Sequence, residues 1–289
     1  MRISNHHLAV DIAPLGAELQ SIVTPDGADW LWNGDPKWWT GRAPLLFPVV
    51  GKSPGGQVGI AGRTYPMQPH GFARRTVFEI ASEHPDRVAL MLRASGETRK
   101  SFPFEFVLSV SYALDRATLV ATVEVGNLDD KEMPFGFGFH PAFRWPLPGG
   151  QGKRHTVRLA GDEEPRFQLL DADGLILPEA HDSPFVNGEM APEPQQFEHD
   201  ALLFPSGIGP SATFGVTGGP SVELSWTNLP NFGLWQKPGA PYLCLEPWHG
   251  MAARVGAGDA MADRPGTVVL QPNGTARFEL RMAFTPAPK

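Results

Sequence analysis

The chain of 289 residues is long enough for one large domain or two modest ones, and its 32 glycines and 30 prolines break helices too often for coiled coils, helical bundles or α-solenoids. With 42% hydrophobic and 19% charged residues it has the material for a core and not the make-up of a disordered chain. A balance of 24 basic against 31 acidic residues, net −7 without a basic run, excludes a phosphate-backbone partner, so no nucleic acid is expected.

In chain order, the N-terminus lacks the continuous apolar stretch of a signal peptide, and no later segment offers 18 apolar residues in a row. A cytoplasmic protein with no membrane partner is expected. Val77 to Ser82 and Val88 to Arg93 read as strands around a His84-Pro85-Asp86 turn. Phe104, Phe106, Leu108, Val110 and Tyr112 alternate with more polar residues, as do Leu119, Ala121, Val123 and Val125, which predicts a hairpin turning near Asp115-Arg116. Residues 145–200, rich in proline and poor in alternation, read as loops decorating the same domain, with one short helix around Gln195 to His199. Strands resume at Ala212 to Val216, Ser221 to Trp226, Tyr242 to Glu246, Thr267 to Leu270 and Ala276 to Ala283, and Asn273-Gly274-Thr275 reads as a turn, not as a glycosylation site. The prediction is an all-β antiparallel sandwich or barrel forming one domain over 1–289.

Several motifs fail on inspection. Gly51-Lys52-Ser53-Pro54-Gly55 matches a nucleophile elbow, but the oxyanion donor after the serine would be Pro54, which has no N–H. The same stretch lacks the leading glycine of a P-loop, where Leu46 stands. Gly207-Ile208-Gly209-Pro210-Ser211-Ala212 opens no helix and is a loop. Nine histidines include no His-x-His or His-Glu-x-x-His, and the only cysteine, Cys244, can form neither an intrachain disulfide nor a multi-thiolate zinc site. No metal is expected from these local spacings, and one assembled from distant histidines stays open.

Three segments carry chemistry. In Phe135-Gly136-Phe137-Gly138-Phe139-His140-Pro141-Ala142-Phe143 an extended chain puts the phenylalanines on one face and His140 on the other beside two glycines, either a floor cleared for a ligand or a sheet histidine near bulges. In Tyr242-Leu243-Cys244-Leu245-Glu246-Pro247-Trp248 a carboxylate ends an apolar strand, either a group placed for chemistry or a strand-end Glu pointing to solvent. Both His140 and Glu246 precede a proline, which holds them extended. His70-Gly71-Phe72-Ala73-Arg74 puts His70 and Arg74 on one face of an extended chain, and its alternative is a solvated surface strand.

These segments, with Gly16-Ala17-Glu18-Leu19-Gln20-Ser21, Ala43-Pro44-Leu45-Leu46-Phe47-Pro48-Val49-Val50-Gly51 and Phe197-Glu198-His199-Asp200, occur in an order that resembles the aldose 1-epimerase (galactose mutarotase-like) family over nearly the whole chain. The resemblance implies a large β-sandwich and an isomerase that interconverts α and β anomers of a hexose by acid–base ring opening, without a cofactor. It implies Glu246 as an ionised base, His140 as a protonated acid, His70 near the ring oxygen and Asp200 on sugar hydroxyls. Trp235 and Trp248 are candidate platforms for the sugar. Lys52 stands where the family usually has arginine, with Arg42 or Arg74 as possible substitutes. A cluster of Arg42, Lys52 and Arg74 would instead select a sugar phosphate and make the protein a hexose-6-phosphate 1-epimerase. A catalytically silent carbohydrate-binding protein is the other alternative, and a monomer or homodimer is expected.

Overall fold

The alternating runs become the long strands of a nine-stranded sheet. Phe106–Asp115 and Thr118–Asn127 form its central hairpin, turning at Arg116, which adopts a left-handed φ of 52°. Thr118–Asn127 pairs onward with Thr275–Thr285, and Phe106–Asp115 with Arg87–Arg93 and then Glu79–His84 at the edge. This computed structural model describes residues 1–288. All its ladders between named strands are antiparallel, and its only helical pieces among the described residues are short 3-10 turns. None of the described residues belongs to a helix long and apolar enough to cross a membrane.

A second sheet carries, in spatial order, Ile176–His181, Phe167–Leu170, Leu202–Phe204, Asn231–Trp235, Tyr242–His249, Phe137–Phe139 and Leu45–Leu46, with Ala142–Arg144 also on Tyr242–His249. The two sheets form a sandwich, with their inner faces merging in one hydrophobic core where Phe137 stacks on Phe278 of the nine-stranded sheet at 4.9 Å. Full burial of each such side chain contributes about 1.5–3 kcal/mol.

Segment 145–200 departs from the expectation of loops. Thr156–Leu159 and Glu189–Met190 extend one edge of the nine-stranded sheet, and Phe167–Leu170 and Ile176–His181 extend the other sheet. These strands are short, and their register comes from Ser211–Gly215 and Leu202–Phe204, so their own pattern does not announce them. The helix expected at Gln195 to His199 is a 3-10 turn over Pro194–Phe197, where Glu193 N–H donates to the Gln196 side chain at 2.8 Å. The phenylalanine run is also broken, into Met133–Phe135, Phe137–Phe139 and Ala142–Arg144, although its phenylalanines are buried on one face.

Strand Tyr242–His249 positions the site. Leu243 and Leu245 enter the sandwich core, while Tyr242 and Cys244 join one small apolar cluster on the outer face and Trp248 joins another. Glu246 lies between the two clusters, buried under loops that cross the outer face.

Candidate active site

Register brings the two prolyl-flanked residues together. Gly138 pairs with Trp248 and Ala142 with Cys244, so continuing that register across the break at His140-Pro141 sets His140 opposite Glu246. Their side chains meet with Nε2 3.3 Å from Oε2. Glu246 Oε2, His140 Nδ1 and the Trp248 indole N–H are buried without a hydrogen-bond partner. Orphaned polar atoms at such density mark a place that spends stability on function.

Two glycines make room for the floor of this site. A Cβ on Gly138 would lie 2.4 Å from the Trp248 ring and one on Gly233, across from Glu246, 2.3 Å from its far edge. The indole therefore lies flat on bare backbone, and the floor that the sequence suggests is cleared for a ligand is occupied by Trp248 itself. Trp248 is almost wholly buried, whereas Trp235 keeps an accessible edge.

Burial also governs the charges. It pushes the Glu246 carboxyl well above its ordinary 4.5, helped by the negative charge of Asp200, against a Trp248 N–H that makes no well-formed bond. Burial pulls His140 well below 6.5, aided by its electrostatic coupling to His70 and by the positive charge of Arg74. The expected ionised Glu246 and protonated His140 are thus not the forms that burial favours; a carboxylic acid beside a neutral imidazole is.

His70 sits at a left-handed φ of 63°, followed by Gly71 at 70°, where a Cβ would strike the Phe47 carbonyl oxygen at 2.1 Å. This turn aims the ring at His140, with centroids 5.8 Å apart. Gly51 N–H donates to His70 Nδ1 at 3.2 Å, which leaves the neutral ring's proton on Nε2. Burial, then the charges of Arg74, Arg75, Arg264 and Lys52, lower the His70 pKa to about 3. His70 is therefore a neutral donor at working pH.

Arg264 fixes the segment that supplies this bond. Buried, with its pKa lowered to about 10 by burial, it donates to the carbonyls of Lys52 (3.1 Å), Val50 (2.7 Å) and Met251 (3.0 Å) and to Ser53 Oγ (2.7 Å). Sequence reasoning missed Arg264, and it missed Trp39, which stacks on His140 at 4.9 Å and 28° and meets Trp235 edge-on at 5.3 Å. The only signal for either was an excess of tryptophan and a lone arginine in a loop.

The remaining candidates separate. Arg74, half-buried, lies close enough to both histidines for its charge to lower them, and its side chain makes no hydrogen bond or ion pair with the described residues beyond its electrostatic pull from Glu18. Asp200, exposed at a left-handed φ of 72°, lies close enough to raise Glu246. Lys52 lies along Gly174 at the rim of a 360 Å³ cleft shared with Pro69 and Asp173. Arg42 is tied down: its guanidinium donates to the Gln20 carbonyl and its backbone N–H to Glu18.

A sequence profile described as aldose 1-epimerase matches residues 1–174. Protein LacX (plasmid form) of Lactococcus lactis subsp. lactis is 26% identical over 288 residues, covering 96% of each chain. Among solved structures, a galactose mutarotase related enzyme from Lactobacillus acidophilus superposes with a TM-score of 0.94 at 28% identity, covering 100% of this chain and 98% of that one. A galactose mutarotase-like protein from Lactobacillus casei ATCC 334 gives 0.88 at 27% identity, with 99% of each covered. A profile match over more than half of the chain, on a sandwich shared from end to end with mutarotase-like proteins, settles its kinship: the chain belongs to the aldose 1-epimerase family.

Proposed function

We propose that the protein interconverts the α and β anomers of an aldose, with Glu246 and His140 as its paired acid and base. The observation that carries this is the 3.3 Å approach of two buried groups, whose Glu246 Oε2 and His140 Nδ1 have no hydrogen-bond partner. Ring opening takes a proton from the anomeric hydroxyl and delivers one to the ring oxygen; the C1–O5 bond breaks, C1–C2 turns, and closure reverses both transfers. Those two oxygens share one carbon, so their proton partners have to be neighbours, as His140 and Glu246 are. The pair holds one proton in either form. Transfer across the contact turns acid plus neutral imidazole into carboxylate plus imidazolium, so the base Glu246 and acid His140 become available without exchange with solvent.

In this reading His70 donates its Nε2–H toward the ring oxygen, Asp200 and Arg74 hold hydroxyls, and Trp235 and Trp39 cover the apolar face of the pyranose. No cofactor takes part. A free hexose is favoured over a hexose 6-phosphate because Arg42, one of the three cations a phosphate site would use, is committed to the Gln20 carbonyl. Glu246→Gln and His140→Asn should each slow anomerisation by about 10²- to 10⁴-fold while sugar still quenches tryptophan fluorescence. Wild-type turnover in either variant would remove that residue from the mechanism, and sugar binding without turnover in the wild type would leave a carbohydrate-binding protein.

A further inference from the structure

Strand Tyr242–His249 sets Cys244 one outward-facing position before Glu246, and Ala142, the partner of Cys244, lies two residues from His140. A ring nitrogen of His140, the Cys244 sulfur and a Glu246 carboxylate oxygen all lie within 4.8 Å of one another. The His140 and Glu246 side chains are 7% and 2% exposed, and Glu246 Oε2 and His140 Nδ1 have no hydrogen-bond partner. The acid–base chemistry uses His140 and Glu246 but has no part for the thiol.

We propose that Cys244, His140 and Glu246 form a three-ligand site for a thiophilic divalent cation of the zinc class, and that the bound cation switches the acid–base pair off. The donor set is the borderline-soft mixture of sulfur, imidazole and carboxylate that suits zinc and cobalt and not magnesium or calcium. Thiolate and carboxylate together match the charge of a divalent ion, which suits a buried site. Around a tetrahedral zinc, neighbouring ligand atoms lie roughly 3–4 Å apart. The 3.3 Å between His140 Nε2 and Glu246 Oε2 already fits. Cys244 needs only a small approach, and a fourth position stays open to water. The cation would occupy the lone pairs that the reaction needs, so it competes with proton transfer. Binding stands on the three side chains alone; the switching-off rests on the acid–base reading above.

Cobalt(II) is the probe. Because Cys244 is the only cysteine, any thiolate-to-cobalt charge-transfer band reports this site. Titrating the full-length protein with Co²⁺ should produce that band, Zn²⁺ should displace it, and Cys244→Ser should abolish it. Glu246→Gln and His140→Asn, which keep the thiol, should each weaken cobalt binding at least tenfold. In parallel, Zn²⁺ should inhibit anomerisation of the wild type at concentrations at least tenfold below those that inhibit Cys244→Ser. No band in the wild type, or a band of unchanged affinity in both Glu246→Gln and His140→Asn, would overturn the site. Those spectra need no catalytic activity, so they separate failure of the metal site from failure of the mutarotase reading. A cobalt band with zinc-insensitive turnover would overturn the switching-off.

Discussion

At the residue scale, the proposed acid–base pair of His140 and Glu246 holds one proton between its members, and the directions of its shifts fix a pH profile. Adding a second proton means charging His140, which burial defers to well below 6.5. Removing the first means ionising Glu246, which burial defers to well above 4.5. Activity should therefore hold level across neutral pH, fall in acid as the imidazole charges, and fall in alkali as the pair loses its proton, both limbs belonging to the pair as a unit. An acid limb centred near 6.5 in kcat/KM would contradict this. Glu246 was legible as a candidate because a carboxylate ending an apolar strand before proline needs a reason, and His140 because it stands beside two glycines before a proline. Their contact was not, because it depends on a register between segments about a hundred residues apart. Their protonation was not legible either, since it follows from burial that no local pattern reveals. Trp39 is hidden for the same reason, its stacking partner His140 lying far along the chain in the break between two strands.

At the element scale, the outer face of strand Tyr242–His249 is held in place by two close approaches. Gly233→Ala would drive a methyl into the Trp248 ring, whose edge a Cβ meets at 2.3 Å. It should cost about 1–3 kcal/mol in urea denaturation and slow anomerisation by tilting the floor beside Glu246. Wild-type stability and rate would show that the indole is free to move. Arg264→Lys keeps a charge but not the fork that spans Val50, Lys52, Ser53 and Met251, so it should cost about 1.5–3 kcal/mol and lower kcat/KM by loosening His70, with both pH limbs unmoved. Unchanged stability and kinetics would deny the Arg264 role. No sequence pattern suggests this residue, because its bonds reach back across as many as 214 positions. The strands of 145–200 were hidden differently: they are edge pieces of two to six residues whose alternation is too short to register.

At the scale of the whole molecule, the sandwich explains why a polar site can sit deep in an apolar chain. The inner faces of both sheets close one core, leaving the outer face of the second sheet to be roofed by loops. Long alternating strands made this all-β architecture readable from the sequence; strand order and the roof were not, since both depend on contacts distant in the chain. Phe278→Ala, removing the ring that stacks on Phe137 between the sheets, should cost about 3–5 kcal/mol, with circular dichroism and tryptophan fluorescence unfolding together. Separate transitions would divide the chain into two folding units. The central claim is tested most directly by following freshly dissolved α-D-glucose, α-D-galactose and glucose 6-phosphate by polarimetry, with wild-type protein, with Glu246→Gln and without protein. Acceleration of a free hexose by the wild type, lost in Glu246→Gln, is the predicted result; equal rates in all three samples for every sugar would contradict it.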